Sequence, residues 1–198
     1  MQQLLSLLNS ITELPPGLKD LLRTSLQCWT FSKGDAILRE GEICSHIYFL
    51  ESGLVRIFNR LAAKEVTSWF LKEGDIFISV SSFFGQQPSY ENIVALEDCV
   101  CWVISYEQLQ NACLAYPIFN AHRIAITERY YCRSEDRHHK MLSQTPEERY
   151  ASLAEEDPEL LKRVPLQLFP SYLDVSRSAF SRIRNTYYYI KRKRISLK

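Results

Sequence analysis

The densest chemistry lies at the C-terminal end. Arg177, Arg182, Arg184, Lys191, Arg192, Lys193, Arg194 and Lys198 fall within residues 175–198, which contain no Asp or Glu. That span carries +8, while residues 1–174 hold 16 basic and 23 acidic side chains, a charge of −7. The whole-chain value of +1 hides the division. A basic end on an acidic body suits a polyanion. Ser176 predicts a helix N-cap, followed by Phe180, Ile183 and Tyr187 at i, i+3 and i+7. With those three turned inward, Arg177, Ser178, Ser181 and Arg182 share the outward face. Arginine can donate bidentately to guanine, and serine adapts to several base edges. Ser176 and the helix N-terminus suit a phosphate. Arg184, Lys191, Arg192, Lys193 and Arg194 suit the phosphate backbone.

Other reactive residue types form no catalytic or metal-binding constellation. The six cysteines (Cys28, Cys44, Cys99, Cys101, Cys113, Cys132) are scattered, with no C-x-x-C pair, and read as reduced thiols in apolar surroundings. His138 and His139 are adjacent on a predicted helix, so their rings point about 100° apart. His46 stands alone in a predicted strand, too little for a haem or a cupin-type metal centre. No H-E-x-x-H, G-x-S-x-G or phosphate loop occurs. We expect neither an enzyme nor a resident cofactor or metal.

These residues need elements to hold them. Leu4, Leu5, Leu7, Leu8 and Ile11, then Leu18, Leu21, Leu22 and Leu26, predict two short helices separated at Pro15-Pro16. From Cys28, short runs rich in β-branched and aromatic residues alternate with turns such as Lys33-Gly34-Asp35, Glu51-Ser52-Gly53 and Gly74-Asp75. The strands include Ile47–Leu50, Leu54–Phe58, Val66–Phe70 and Val100–Ile104, and their spacing predicts a sandwich or barrel. Ser105 starts a helix. After Pro117 a segment without Gly or Pro runs to about Leu142, a long helix. Thr145-Pro146-Glu147-Glu148 is a capping box with Pro at the first helical position, and Asp157-Pro158 opens another helix. The expectation is an α+β chain. A jelly-roll-like β-barrel with leading helices fills 1–116, a long helix 117–143, and a small helical domain with a basic tail 144–198.

The hydrophobic fraction of 46% suits a folded protein. No apolar run approaches the roughly 18 residues of a membrane span, and the first residues lack a basic signal-peptide start. A cytoplasmic protein without a membrane partner is expected.

The ordered turns and strands resemble the Crp/Fnr family of transcription regulators. Lys33-Gly34-Asp35, Glu40-Gly41-Glu42 and Ile47 to Ile57 resemble the first half of a cyclic-nucleotide-binding β-roll. Gly74-Asp75 and Trp102-Val103-Ile104 continue it, and Arg163-Val164-Pro165 to Arg184 resembles the family's helix-turn-helix. The resemblance implies a sensor roll, a long helix that forms a homodimer, and a helix that reads double-stranded DNA, with RNA polymerase as a further partner.

It also locates a departure. The family's cassette uses a Glu for a ribose hydroxyl and an Arg for the cyclic phosphate, because a buried phosphate needs a paired cation. Here those positions fall on Ser79 and Ser89, with Tyr90 next, and residues 74–95 contain no Arg or Lys. Binding of cAMP or cGMP is not expected. Two readings follow. The roll is kept as a scaffold or partner surface, or it holds an uncharged effector among Phe77, Ile78, Ser79, Ser89 and Tyr90.

The helix-turn-helix departs as well. Val164 to Leu173 would be the supporting helix and Asp174-Val175 the turn, but Pro170 falls inside that helix. Asp174 stands where the turn usually has Gly. No full wing follows. The competing reading is a ligand-binding or protein-interaction module with a degenerate DNA-binding end.

Overall fold

A computed structural model describes residues 1–62 and 64–196, with side chains as far as 193. The chain begins with two helices, α1 (Gln2–Ile11) and α2 (Pro16–Ser25). Leu4 and Leu8 of the first and Leu18 and Leu22 of the second are buried, which is the leucine periodicity of the sequence expressed as one face. The α-ammonium of Met1 donates to Glu51 at 2.9 Å and ties α1 to the strands.

Eight strands follow: β1 (Gln27–Phe31), β2 (Ala36–Leu38), β3 (His46–Ser52), β4 (Val55–Leu61), β5 (Lys64–Leu71), β6 (Ile76–Phe77), β7 (Glu91–Ala95) and β8 (Cys99–Ser105). They form two antiparallel four-stranded sheets, ordered β1-β8-β3-β6 and β2-β7-β4-β5. The expected jelly-roll-like barrel is therefore an open double-sheet roll, not a closed cylinder. A short helix, α3 (Val80–Gly85), interrupts it between β6 and β7.

The turn glycines Gly34, Gly41, Gly53 and Gly74 all have positive φ. Gly53 is needed twice over. Its φ is +105°, and an added Cβ would lie 2.6 Å from the Asp98 carbonyl oxygen and the Cys99 sulfur.

Beyond the roll come α4 (Tyr106–Ala115), α5 (Phe119–Ser143), α6 (Pro146–Glu156) and α7 (Pro158–Arg163). Ser105 with Gln108 and Thr145 with Glu148 form complete capping boxes, and Asp157 caps α7 through the Leu160 N–H. At 25 residues α5 is the longest helix described, about 37 Å. Among the described residues no helix is long and apolar enough to cross a membrane.

The expected supporting helix over Val164–Leu173 is not continuous. A 3-10 turn (Leu166–Leu168) leads into a single turn of helix, α8 (Phe169–Tyr172). Proline explains the break. Pro165 precedes the 3-10 turn, and Pro170 sits in the first turn of α8, where a missing N–H breaks no ladder bond. The last helix, α9 (Arg177–Ser196), runs through the segment expected to be a basic tail.

Two clusters of buried side chains hold the molecule. The larger joins the roll to α1, α2, α4 and the start of α5. The second joins Leu54 and Phe70 of the roll to Tyr150, Leu153, Leu160, Phe169, Leu173, Phe180 and Ile183. The helix-turn-helix segment thus has no separate core; it completes its packing on the sheet.

Candidate nucleic-acid interface and effector site

The turn before α9 is built by Asp174, whose φ of +52° is left-handed. Asp takes that geometry more readily than most residues but less readily than Gly. Leu173 N–H bonds to Phe169 O at 2.9 Å and Val175 N–H to Pro170 O at 2.9 Å, closing the turn. Ser176 then caps α9, accepting from the Ala179 N–H at 3.1 Å. Phe180 and Ile183 are buried and Tyr187 half-buried, so α9 packs on the face the sequence indicates. The ring of Phe180 stacks on Phe169 at 5.9 Å.

Arg177, Ser178, Ser181 and Arg182 are all exposed. Arg184 is not on that face. It is half-buried and lines a cleft with Tyr150, Lys162, Arg163 and Tyr188. Lys191, Arg192 and Lys193 are exposed on the last turns of α9. Lys191 lies 5.7 Å from the Tyr187 ring and Lys193 4.8 Å from the Tyr189 ring. Arg194 belongs to α9, but its side chain is outside the described residues, as is Lys198 altogether. Arg177 and Lys191 are separated by about 21 Å along the axis. The two basic groups are therefore separate patches at the two ends of α9.

The N-terminal end of α9 opens onto a cleft shared with the β4–β5 hairpin, where Lys64 and Glu65 face Ser176 and Arg177. A buried polar chain crosses here. Arg56, only 5% exposed, donates to Glu65 at 2.7 Å and to the Thr67 hydroxyl at 2.9 Å. Thr67 meets Ser171 of α8 at 2.8 Å, and Ser171 donates to Leu168 O at 3.0 Å. Phe70 of β5 packs against Phe169 at 5.7 Å and Tyr172 at 4.9 Å.

A second tie lies on the opposite flank. Arg163 of α7 donates to Glu73 at 2.8 Å, to Glu97 at 2.6 and 3.0 Å, and to Gly53 O at 3.0 Å. Arg137 of α5 donates to Tyr172 O at 2.9 Å and lies over the Tyr172 ring at 3.9 Å, and burial lowers its pKa. Sequence reasoning missed Arg56, Thr67, Ser171, Arg137 and the role of Arg163. Their partners are distant in sequence, and no local pattern marks them.

The Arg163 guanidinium holds the Glu73 carboxyl down at about 2. An unfolded Glu titrates near 4.3, so the folded value is depressed. The resulting stability is present above pH 5 and is lost as pH falls towards 2. Glu73→Gln should therefore be less stable at pH 7 by about 1 kcal/mol, allowing for solvent screening of a partly exposed pair. The difference should vanish near pH 2. Urea unfolding at several pH values measures it, and a pH-independent gap would refute the link.

In the expected effector pocket, Ser79 and Ser89 are buried and bonded to each other at 2.9 Å. Ser89 also accepts from the Glu91 N–H at 2.9 Å. Phe77 is buried and stacks on Tyr48 at 5.0 Å. Ile78 is half-buried and Tyr90 is 58% exposed. The two serine hydroxyls thus bond one another, and Tyr90 lies on the surface beside them. His46 is wedged against Trp29 at 4.8 Å and bonds Ser45 at 2.9 Å. Cys44, Cys99, Cys101 and Cys113 are buried, and burial raises the first two thiols and pushes Cys101 up to about 12, which disfavours thiolate chemistry there.

An eight-strand roll, a long helix and a compact helix-turn-helix together define a recognisable class of fold. Residues 28–116 match the family model of the cyclic nucleotide-binding domain. No curated protein sequence matches the chain. Among solved structures, FixK2 from Bradyrhizobium japonicum is 18% identical with a TM-score of 0.70, covering 84% of this chain and 86% of its own. A protein from Eubacterium rectale assigned to the crp/fnr family of transcriptional regulators is 18% identical with a TM-score of 0.71, covering 90% and 85%. The c-di-GMP responsive regulator CLP of Xanthomonas campestris is 15% identical with a TM-score of 0.67, covering 89% and 93%. Residues 28–116 thus match the cyclic nucleotide-binding domain, and 84–90% of the chain shares the fold of these Crp/Fnr-type structures.

Proposed function

We propose that this protein is a non-catalytic transcription regulator that binds double-stranded DNA through α9 and acts as a dimer. The observation that carries the reading is the exposed Arg177–Arg182 face, mounted on a capped helix whose opposite side is buried. Its neighbours in fold include proteins described as transcription regulators. Dimerisation is supported by α5, which leaves Ile124 57% and Tyr131 64% exposed seven residues apart, the spacing of a helix–helix seam. Sedimentation equilibrium reads it.

If a dimer neutralises about 6 phosphates, the log–log dependence of affinity on salt should have a slope of roughly −5. Gel shifts on duplexes selected from a random pool measure this. A salt-independent shift would refute the DNA reading.

The reading includes no cyclic-nucleotide sensing. What supports this is that no Arg or Lys lies between Gly74 and Ala95, and that Ser79 and Ser89, the positions the resemblance assigns to the nucleotide contacts, bond each other. Titration calorimetry with cAMP should show no saturable heat at micromolar concentration. A micromolar Kd would overturn this part.

A second reading, an interaction module with a degenerate DNA end, is favoured by one observation. The expected supporting helix is reduced to a 3-10 turn and a single helical turn.

A further inference from the structure

Where the second half of α5 passes the end of β5 and the C-terminal helices, a cleft of about 300 Å³ is left open. That volume suits a small molecule. Trp69, Leu153 and Tyr172 are among its apolar walls, and Arg137 of α5 and Arg149 of α6 belong to its lining. Ser79, Ser89 and the residues of α9 are not in its walls, so the cleft is separate from both sites described above.

The charges in this cleft do not cancel. Five cations and three carboxylates line it. Lys72 pairs with Asp157, Lys140 with Glu156, and Arg133 with Asp75, which lies outside the lining. Among the described residues Arg137 and Arg149 pair with no carboxylate, and Asp136 pairs with no cation. The two arginines are held instead on successive carbonyls at the C-terminal end of α8. Arg137 donates to Tyr172 O at 2.9 Å, and Arg149 to Leu173 O at 2.9 and 3.2 Å. Two guanidinium charges are thus set side by side. Burial lowers the Arg137 pKa, and the charges of Arg149 and Arg133 lower it further, as expected where like charges crowd without an anion.

The donors indicate what the cleft can hold. A guanidinium has five N–H groups and no acceptor. Arg149 directs four of them at the carbonyls of Leu173, Met141 and Gln144. Arg137 directs one, at Tyr172 O. Its guanidinium lies 3.9 Å from the Tyr172 ring centroid and 5.6 Å from that of Trp69, which fixes its orientation. Its Nε and Nη1 have no protein partner among the described residues, and neither atom is sealed from solvent. We infer that the cleft binds a phosphate dianion, free or as a small monoester, with Arg137 donating to its oxygens and Arg149 supplying the second charge. A compact dianion neutralises two adjacent cations at one centre and offers several oxygens to the free N–H groups, whereas a monoanion leaves one charge unmet. The inference does not rest on DNA binding, and its test uses no DNA.

The test is calorimetric titration of the full-length protein with inorganic phosphate, phenyl phosphate and benzenesulfonate in turn. At about pH 8 phenyl phosphate is a dianion, its second pKa being about 6, and benzenesulfonate is a monoanion of the same shape. The expected result is one-site phosphate binding, with the sulfonate at least about tenfold weaker. Inorganic phosphate bound as tightly as the ester, or more tightly, identifies free phosphate as the ligand; a tighter ester identifies a monoester. Arg137→Gln should weaken phosphate binding at least about tenfold. Met141→Glu sets a carboxylate in the lining one helical turn from Arg137. It should weaken phosphate equally and leave the unliganded protein at least as stable. If one variant fails to fold, as judged by circular dichroism, the other and the wild-type comparison of probes decide. Absence of saturable heat with either phosphate up to about 1 mM, a sulfonate that binds as tightly, or full phosphate affinity in a folded variant overturns the assignment.

Discussion

Replacing Arg177 and Arg182 together with alanine should reduce the ratio of specific to non-specific duplex affinity by at least about 30-fold. Each bidentate arginine–guanine contact supplies roughly 1–3 kcal/mol of discrimination, so two supply about 2–6 kcal/mol. Both side chains are exposed, and among the described residues neither has an ion-pair partner, so their loss should leave the fold intact. The contrast is with the far end of α9. Lys191→Ala with Lys193→Ala should weaken all duplexes alike and flatten the salt dependence by about one unit per lost phosphate contact. The 21 Å or so between the two ends makes the effects separable. Competition gel shifts with a selected site against random duplex measure both. A double arginine variant that keeps the wild-type preference would remove α9 as the reading element.

Phe169→Ala should destabilise the protein by about 3–5 kcal/mol, the range for deleting a buried aromatic side chain. Phe169 is completely buried between Phe70 of β5 and Phe180 of α9. For a chain of this size that corresponds to a Tm lower by roughly 6–20 °C. The loss should be felt on both sides, because the second cluster contains residues of the sheet and of the helix-turn-helix. Tryptophan fluorescence, reporting the sheets through Trp29, Trp69 and Trp102, and far-UV ellipticity should therefore change together in a single transition. A loss under 1 kcal/mol, or a helix-turn-helix that melts well before the sheet, would show that the C-terminal helices are not welded to the roll. This tie, with the Thr67–Ser171 and Arg163–Glu73 contacts, joins the sheet to the helices that carry α9.

Patterns of short range carried much of this protein in the sequence. Short runs rich in β-branched and aromatic residues between Gly-containing turns specified β3, β4, β5 and β8, since such residues suit a pleated sheet and each tight turn needs positive φ. Ser105, Thr145 and Asp157 marked helix starts because capping involves only residues three apart. The inward Phe180–Ile183–Tyr187 stripe fixed which arginines of α9 face outward. The charge asymmetry was a matter of composition alone.

Tertiary structure decided what depends on distant partners. Pro170 reads as a helix defect in sequence, but packing of Phe169 places a new helix start there, where proline is harmless. The basic end is helical, and Arg184 turns back towards α7, neither of which residue type alone dictates. The serines that replace the phosphate-binding pair stand ten residues apart, and only the β-roll brings their hydroxyls within 2.9 Å. The residues that tie the C-terminal helices to the roll pair with carboxylates and hydroxyls up to 104 positions away. Local propensity is written in neighbouring residues, whereas an ion pair or a shared core exists only once the chain has closed the loop between its members.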